Sequence, residues 1–68
     1  MSARYRFVVE GELSERALTA FPDLEAVPPH DGTTVLSGTI ADSTAMRGIL
    51  ARFDSLGLTL VEMRQLSQ

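Results

Sequence analysis

An α+β domain is predicted by the way hydrophobic periodicity changes along the chain. Arg4 to Glu10 and Thr33 to Ile40 alternate at period two, the mark of half-buried strands. The segments that open at Ser14 and Asp42 instead space their apolar residues as helices do. A further strand follows each helix, so the order reads strand, helix, strand, strand, helix, strand. With right-handed crossovers, that order gives a ferredoxin-like βαββαβ sandwich: a four-stranded antiparallel sheet with two helices on one face.

In the first strand, Tyr5, Phe7 and Val9 alternate with Arg6, Val8 and Glu10, and Gly11 ends the run. Ser14 is a good N-cap, and Glu15 in the first turn complements the helix dipole. Ala17, Leu18 and Phe21 recur at helical spacing, and Pro22 disfavours helical geometry at Phe21. This predicts a helix of about two turns that depends on tertiary packing. Leu24 to Pro29 is a weaker strand. Pro28 and Pro29 cannot donate to a ladder, which puts it at a sheet edge. His30-Asp31-Gly32 follows, and Asp-Gly signals a tight turn. Beyond the turn, Thr34, Leu36, Gly38 and Ile40 share one face of the third strand.

Asp42 caps the second helix, where Met46, Ile49, Leu50, Phe53 and Leu56 fall within a sector of about 120°. Gly57 sits where a left-handed C′ residue is expected, with Leu58 as the C″ contact. The last strand, Leu58 to Leu66, alternates poorly. Leu58 and Leu60 fall on one side, Val61 and Met63 on the other, so either a bulge shifts the register or both faces are covered. The first and third strands should be central and the second and last should form the edges. Nothing in the pattern divides residues 1–68, which read as one domain.

The chain has 68 residues and no cysteine. A core this small supplies only roughly 3–5 kcal/mol unaided. Disulfides and thiolate metal sites are excluded, which leaves association as the available support. Nine acids oppose six bases, for a net charge of −3, and every base is arginine. Without lysine there is no Schiff-base chemistry and no P-loop lysine. An acidic chain with scattered bases suits neither nucleic acid nor, with such short apolar runs, a membrane span. Met1-Ser2-Ala3-Arg4 leads into the first strand without an apolar signal segment, so a cytoplasmic location is expected.

Few residues suggest chemistry. Glu10, Glu12 and Glu15 gather at the first strand–helix turn, and Asp42 is expected at the same end. Together they could hold a divalent cation, but no calcium-loop spacing is present. His30 beside Asp31 resembles part of a catalytic triad, yet it lies in a turn and no nucleophile-elbow sequence occurs. Gly48, Ala51 and Ser55 form a stripe of small residues on the outward side of the long helix, where a partner backbone could approach. Leu58, Leu60, Val61 and Met63 make a long apolar edge, a hazard unless covered. They point to a second copy, joined by strand addition or by packing of open sheet faces. These features predict a non-catalytic binding or assembly module without a cofactor, working as a homodimer or docked on a larger protein. A cofactor-free enzyme would need a cavity between sheet and helices that so short a chain can hardly enclose.

The stretch from Gly32 to Glu62, GTTVLSGTIADSTAMRGILARFDSLGLTLVE, resembles a group of small, uncharacterised actinobacterial proteins. The opening FVVEGELS, Phe7 to Ser14, is similar more loosely. That resemblance implies no activity. The element order is also similar to that of ACT-type regulatory domains, which bind amino acids at dimer interfaces. It implies an alternative function as a small-molecule sensor, with ligand held near Gly11, Glu12 and Ser14. The ACT turn after the first strand usually reads Asp-x-x-Gly; here it is Glu10-Gly11-Glu12-Leu13.

Overall fold

The computed structural model describes residues 2–67, with side chains described to residue 66. Its elements are β1 (Ala3–Glu10), α1 (Glu15–Leu18), β2 (Glu25–His30), β3 (Thr33–Ile40), α2 (Ser43–Ser55) and β4 (Leu60–Ser67). They form a ferredoxin-like sandwich. The sheet order is β2-β3-β1-β4 and every neighbouring pair is antiparallel. The proline-bearing strand and the last strand are the edges, as the sequence predicts.

The register of β1 on β3 sets Phe7 against Leu36 and Val9 against Thr34. These residues face the helices, and Phe7, Val9, Leu36 and Ile40 are buried there with Phe21, Ile49 and Phe53. Phe53 joins the layers: its ring centroid lies 5.5 Å from Phe7 and 4.8 Å from Phe21. Leu18, Met46, Leu50, Leu58 and Leu60 pack around this cluster. Leu56 does not belong to it, being 46% exposed. The helix has ended by then, and Leu56 is the C-cap.

Both ends of α2 are closed as its sequence dictates. The Asp42 carboxylate accepts from the Ala45 N–H at 2.8 Å. At the other end Gly57 takes φ +71. The Gly57 N–H donates to Asp54 and the Leu58 N–H to Phe53, the two bonds of a Schellman motif. By contrast, α1 has only four residues rather than two turns. Past Leu18 the chain tightens: Ala20 bonds back to Ala17 and Phe21 to Leu18, the three-residue spacing of a 3₁₀ turn. Arg52 on α2 donates to the Ala20 carbonyl at 3.2 Å and ties this segment to the long helix.

Two small residues of β3 govern the loops above the sheet. Thr34 is 1% exposed. Its hydroxyl donates to the Gly11 carbonyl at 2.8 Å and accepts from the Leu13 N–H at 3.2 Å, pinning the β1–α1 connection. Gly38 lies under the α1–β2 connection, where a Cβ would stand 2.8 Å from both the Asp23 carbonyl oxygen and Leu24 Cδ2. Only a glycine lets that backbone run so close.

The uneven alternation of the last strand has a specific cause. β4 starts at Leu60 rather than Leu58, because the Leu58 N–H still serves the helix cap. Val9 pairs with Leu60, Val8 with Glu62 and Phe7 with Met63. Val61 is therefore the extra residue of a β-bulge. Leu60 and Met63 fall on the same, helix-side face, not on opposite faces. A second irregularity, between Arg4–Ser67 and Tyr5–Gln65, makes Leu66 the extra residue. Asp42 also differs from expectation. Because β1 and β3 are antiparallel, the loops that follow them leave from opposite ends of the sheet, so Asp42 lies far from Glu10, Glu12 and Glu15.

Thr34→Val keeps the shape but leaves the Gly11 carbonyl and the Leu13 N–H without partners, and should cost about 1–3 kcal/mol. Thermal unfolding should show this as a fall of roughly 4–8 °C per kcal/mol; an unchanged melting temperature would mean the clamp carries no stability. Gly38→Ala pushes against the Asp23 carbonyl as well as the Leu24 side chain and should destabilise by about 1–3 kcal/mol, measured by urea titration.

Candidate functional site

The sequence places candidate residues in four regions, and the structure keeps them apart. At the β1–α1 turn, Gly11 is half-buried, and Glu12 and Ser14 are exposed. Their polar groups already serve the fold: the Gly11 N–H donates to Gly32, its carbonyl accepts from Thr34, and Ser14 Oγ caps Ala17. Among the described residues no group of three or more His, Asp or Glu could hold a metal ion. His30 Nε2 lies 3.1 Å from Asp31 Oδ2, with both side chains nearly fully exposed. No hydroxyl donates to this pair among the described residues; the nearby Thr33 hydroxyl donates to the His30 carbonyl.

On α2, Ala51 and Ser55 are exposed and Gly48 is half-buried. A Cβ at Gly48 would meet nothing within 4 Å, so no contact within the chain requires glycine there. A depression of about 480 Å³ opens at the far end of the helix face, lined by Ala3, Tyr5, Ile40, Asp42, Ser43, Met46 and Arg47. Its floor is apolar, and Arg47 and Asp42 stand at its rim.

The two sheet edges are poor templates for strand addition. β2 carries Pro28 and Pro29, which have no N–H to offer, and its ladder with β3 is irregular between Val27 and His30. β4 is interrupted by the bulges at Val61 and Leu66. Bulges and prolines are the devices that blunt an exposed edge.

The face of the sheet away from the helices is different. Outward positions of the central strands lie between the buried ones: Arg4, Arg6 and Val8 on β1, Val35 and Ser37 on β3. Register extends these positions across all four strands. Val27 pairs with Val35, Val35 with Val8, and Val8 with Glu62 beside the bulged Val61. Three valines therefore stand at one level across β2, β3 and β1, with Glu62 at that level on β4 beside the unpaired Val61; Val27 is 50% and Val61 57% exposed. One level on, Glu25 pairs with Ser37, Ser37 with Arg6, and Arg6 with Arg64. This second row is acidic at the β2 edge and basic at the β4 edge. Two arginines directly opposite on an antiparallel pair repel, and neither has an ion-pair partner among the described residues. Sequence spacing could identify the outward residues of each strand; alignment of the rows required the register and the bulge.

No helix among the described residues is long and apolar enough to cross a membrane. No curated protein and no solved structure matches the chain. A family model described as a Domain of unknown function (DUF8691) matches residues 4–64, all six elements of the sandwich, and the chain belongs to that family.

Proposed function

We propose that the protein is a non-catalytic binding or assembly module, acting through self-association or docking to a larger protein, and that its working surface is the open face of the sheet. The valines support this reading: Val27, Val35 and Val8 stand at one level across three strands, with Glu62 and the bulged Val61 beside them on the fourth. With both edges blunted, face packing is the better supported of the two association modes open to the sheet. A domain of this size gains much from burying such a face, since anything that binds only the folded state stabilises it. The chain carries no thiol to protect, and the reading places it in the cytosol.

A second reading, as an ACT-like small-molecule sensor, draws on the depression beside Tyr5 and Arg47. Its volume falls in the range of small-ligand sites, and Arg47 could meet a carboxylate. The depression lies at the opposite end of the molecule from Gly11 to Ser14, so a ligand held there would not use the turn.

Val27→Lys, at an exposed position, and Val8→Thr should each weaken association about tenfold or more while leaving thermal unfolding within a few degrees. Ala51→Glu on the helix face should leave association unchanged. Concentration-dependent sedimentation reads self-association, and co-purification with a tagged chain reads a larger partner. Association lost with Ala51→Glu and kept in both valine variants would move the working surface to the helices.

A further inference from the structure

We infer that the occupant of the open face is a second copy of this chain, stacked face to face about a two-fold axis that runs parallel to the strands between β1 and β3. This rests on the open face being the working surface and adds its partner and geometry. Such an axis exchanges the two sides of the sheet without shifting residues along the strands. β2 of one copy lies over β4 of the other, and β3 over β1. The level of the valines then lies on itself, with Val35 over Val8 of the partner copy and Val27 over Glu62 of the partner copy, beside the bulge. In the next row Glu25 lies over Arg64, and Ser37 over Arg6. The contact is isologous, so each pairing occurs twice.

The charges at the two sheet edges suit this axis. Arg6 and Arg64 sit directly opposite within one sheet and neither forms an ion pair among the described residues, although Glu62 stands two residues from Arg64 on the same face. Stacking places Glu25 of the other copy over Arg64 and one strand, about 4.8 Å, from the position over Arg6. Both members of the repelling pair then come within reach of one carboxylate. A two-fold axis perpendicular to the strands lays each strand over its own copy, so Glu25 would meet neither Arg6 nor Arg64. Within a single chain Glu25 and Arg64 are three strands apart, about 14 Å, too far to pair.

The area is sufficient. Strands of eight residues spaced about 4.8 Å apart give a face of about 19 by 26 Å, or on the order of 1,000 Å² buried by two copies. That is near the lower limit for a specific interface and fits a dimer that forms at micromolar concentration and above.

The test is a charge swap read by sedimentation equilibrium on the full chain. Both positions are exposed, so the variants should fold, and circular dichroism verifies it. Wild type should be dimeric at about 100 μM, and Arg64→Glu and Glu25→Arg should each raise the dissociation constant about tenfold. The double variant should recover dimerisation, which only pairing between chains can produce. Singles without effect, or a double variant no better than the singles, would overturn this axis while leaving the open face as the working surface. A wild type still monomeric at about 1 mM would overturn the second copy as occupant. Loss of the open face itself would show separately, as association insensitive to Val27→Lys and Val8→Thr.

Discussion

Phe53 holds the two layers of this molecule together. Its ring meets both Phe7 on the central strand and Phe21 after the short first helix. A buried phenylalanine contributes about 1.5–3 kcal/mol by removal from water alone, comparable to the net stability of so small a domain. Its position is secured from both ends of α2: the Asp42 cap sets where the helix begins, and the Schellman motif at Gly57 ends it while turning Leu58 back onto the core. The Phe53 carbonyl accepts the Leu58 N–H in that motif, so the residue anchoring the helix to the sheet also anchors the entry to β4.

That core is one-sided. Seven apolar side chains are buried between sheet and helices, and all the strand residues among them come from the inward faces of β1 and β3. α1 is a single turn, so the helix layer is carried almost entirely by α2. The opposite face carries Val27, Val35 and Val8 at one level and Arg6 opposite Arg64, neither arginine in an ion pair among the described residues. A larger protein could cover such a face with its own elements; here nothing within the described residues does. The edges show the reverse arrangement, since prolines on β2 and bulges on β4 discourage further strands from joining. Blunted edges beside an uncovered face are the features expected of a sheet that meets partners by stacking.

Much of the fold was legible because the local signals agree with each other. The alternation of Tyr5, Phe7 and Val9 and of Thr34, Leu36, Gly38 and Ile40 identified the inward faces. Pro28 and Pro29 identified an edge, and Gly57 the end of a helix. The failures share a cause. The first helix looked longer because Ala17, Leu18 and Phe21 fit helical spacing, but a 3₁₀ turn places the same residues inward in a shorter path. Asp42 and the glutamates each follow a strand in the sequence, but order along the chain does not say at which end of an antiparallel sheet a loop emerges. The polar role of Thr34 was hidden for a similar reason: its partners at Gly11 and Leu13 are 23 and 21 residues away, and nothing local marks a buried hydroxyl as bonded.

The sequence by itself determined the element order, the inward faces of the central strands, the helix caps and the absence of thiol and lysine chemistry. Each of these follows from residue type, or from a period that neighbouring residues share. The tertiary structure alone decided the bulge at Val61, the common face of Leu60 and Met63, and the alignment of Glu25, Arg6 and Arg64 in one row. A bulge arises when two strands of unequal path length must keep their apolar residues on one core. A row across a sheet is a relation among four segments that are distant in the chain. The apolar surplus of the last strand is legible in the sequence, but only register shows that Leu60 and Met63 share the helix-side face and that Val61 bulges out of the ladder.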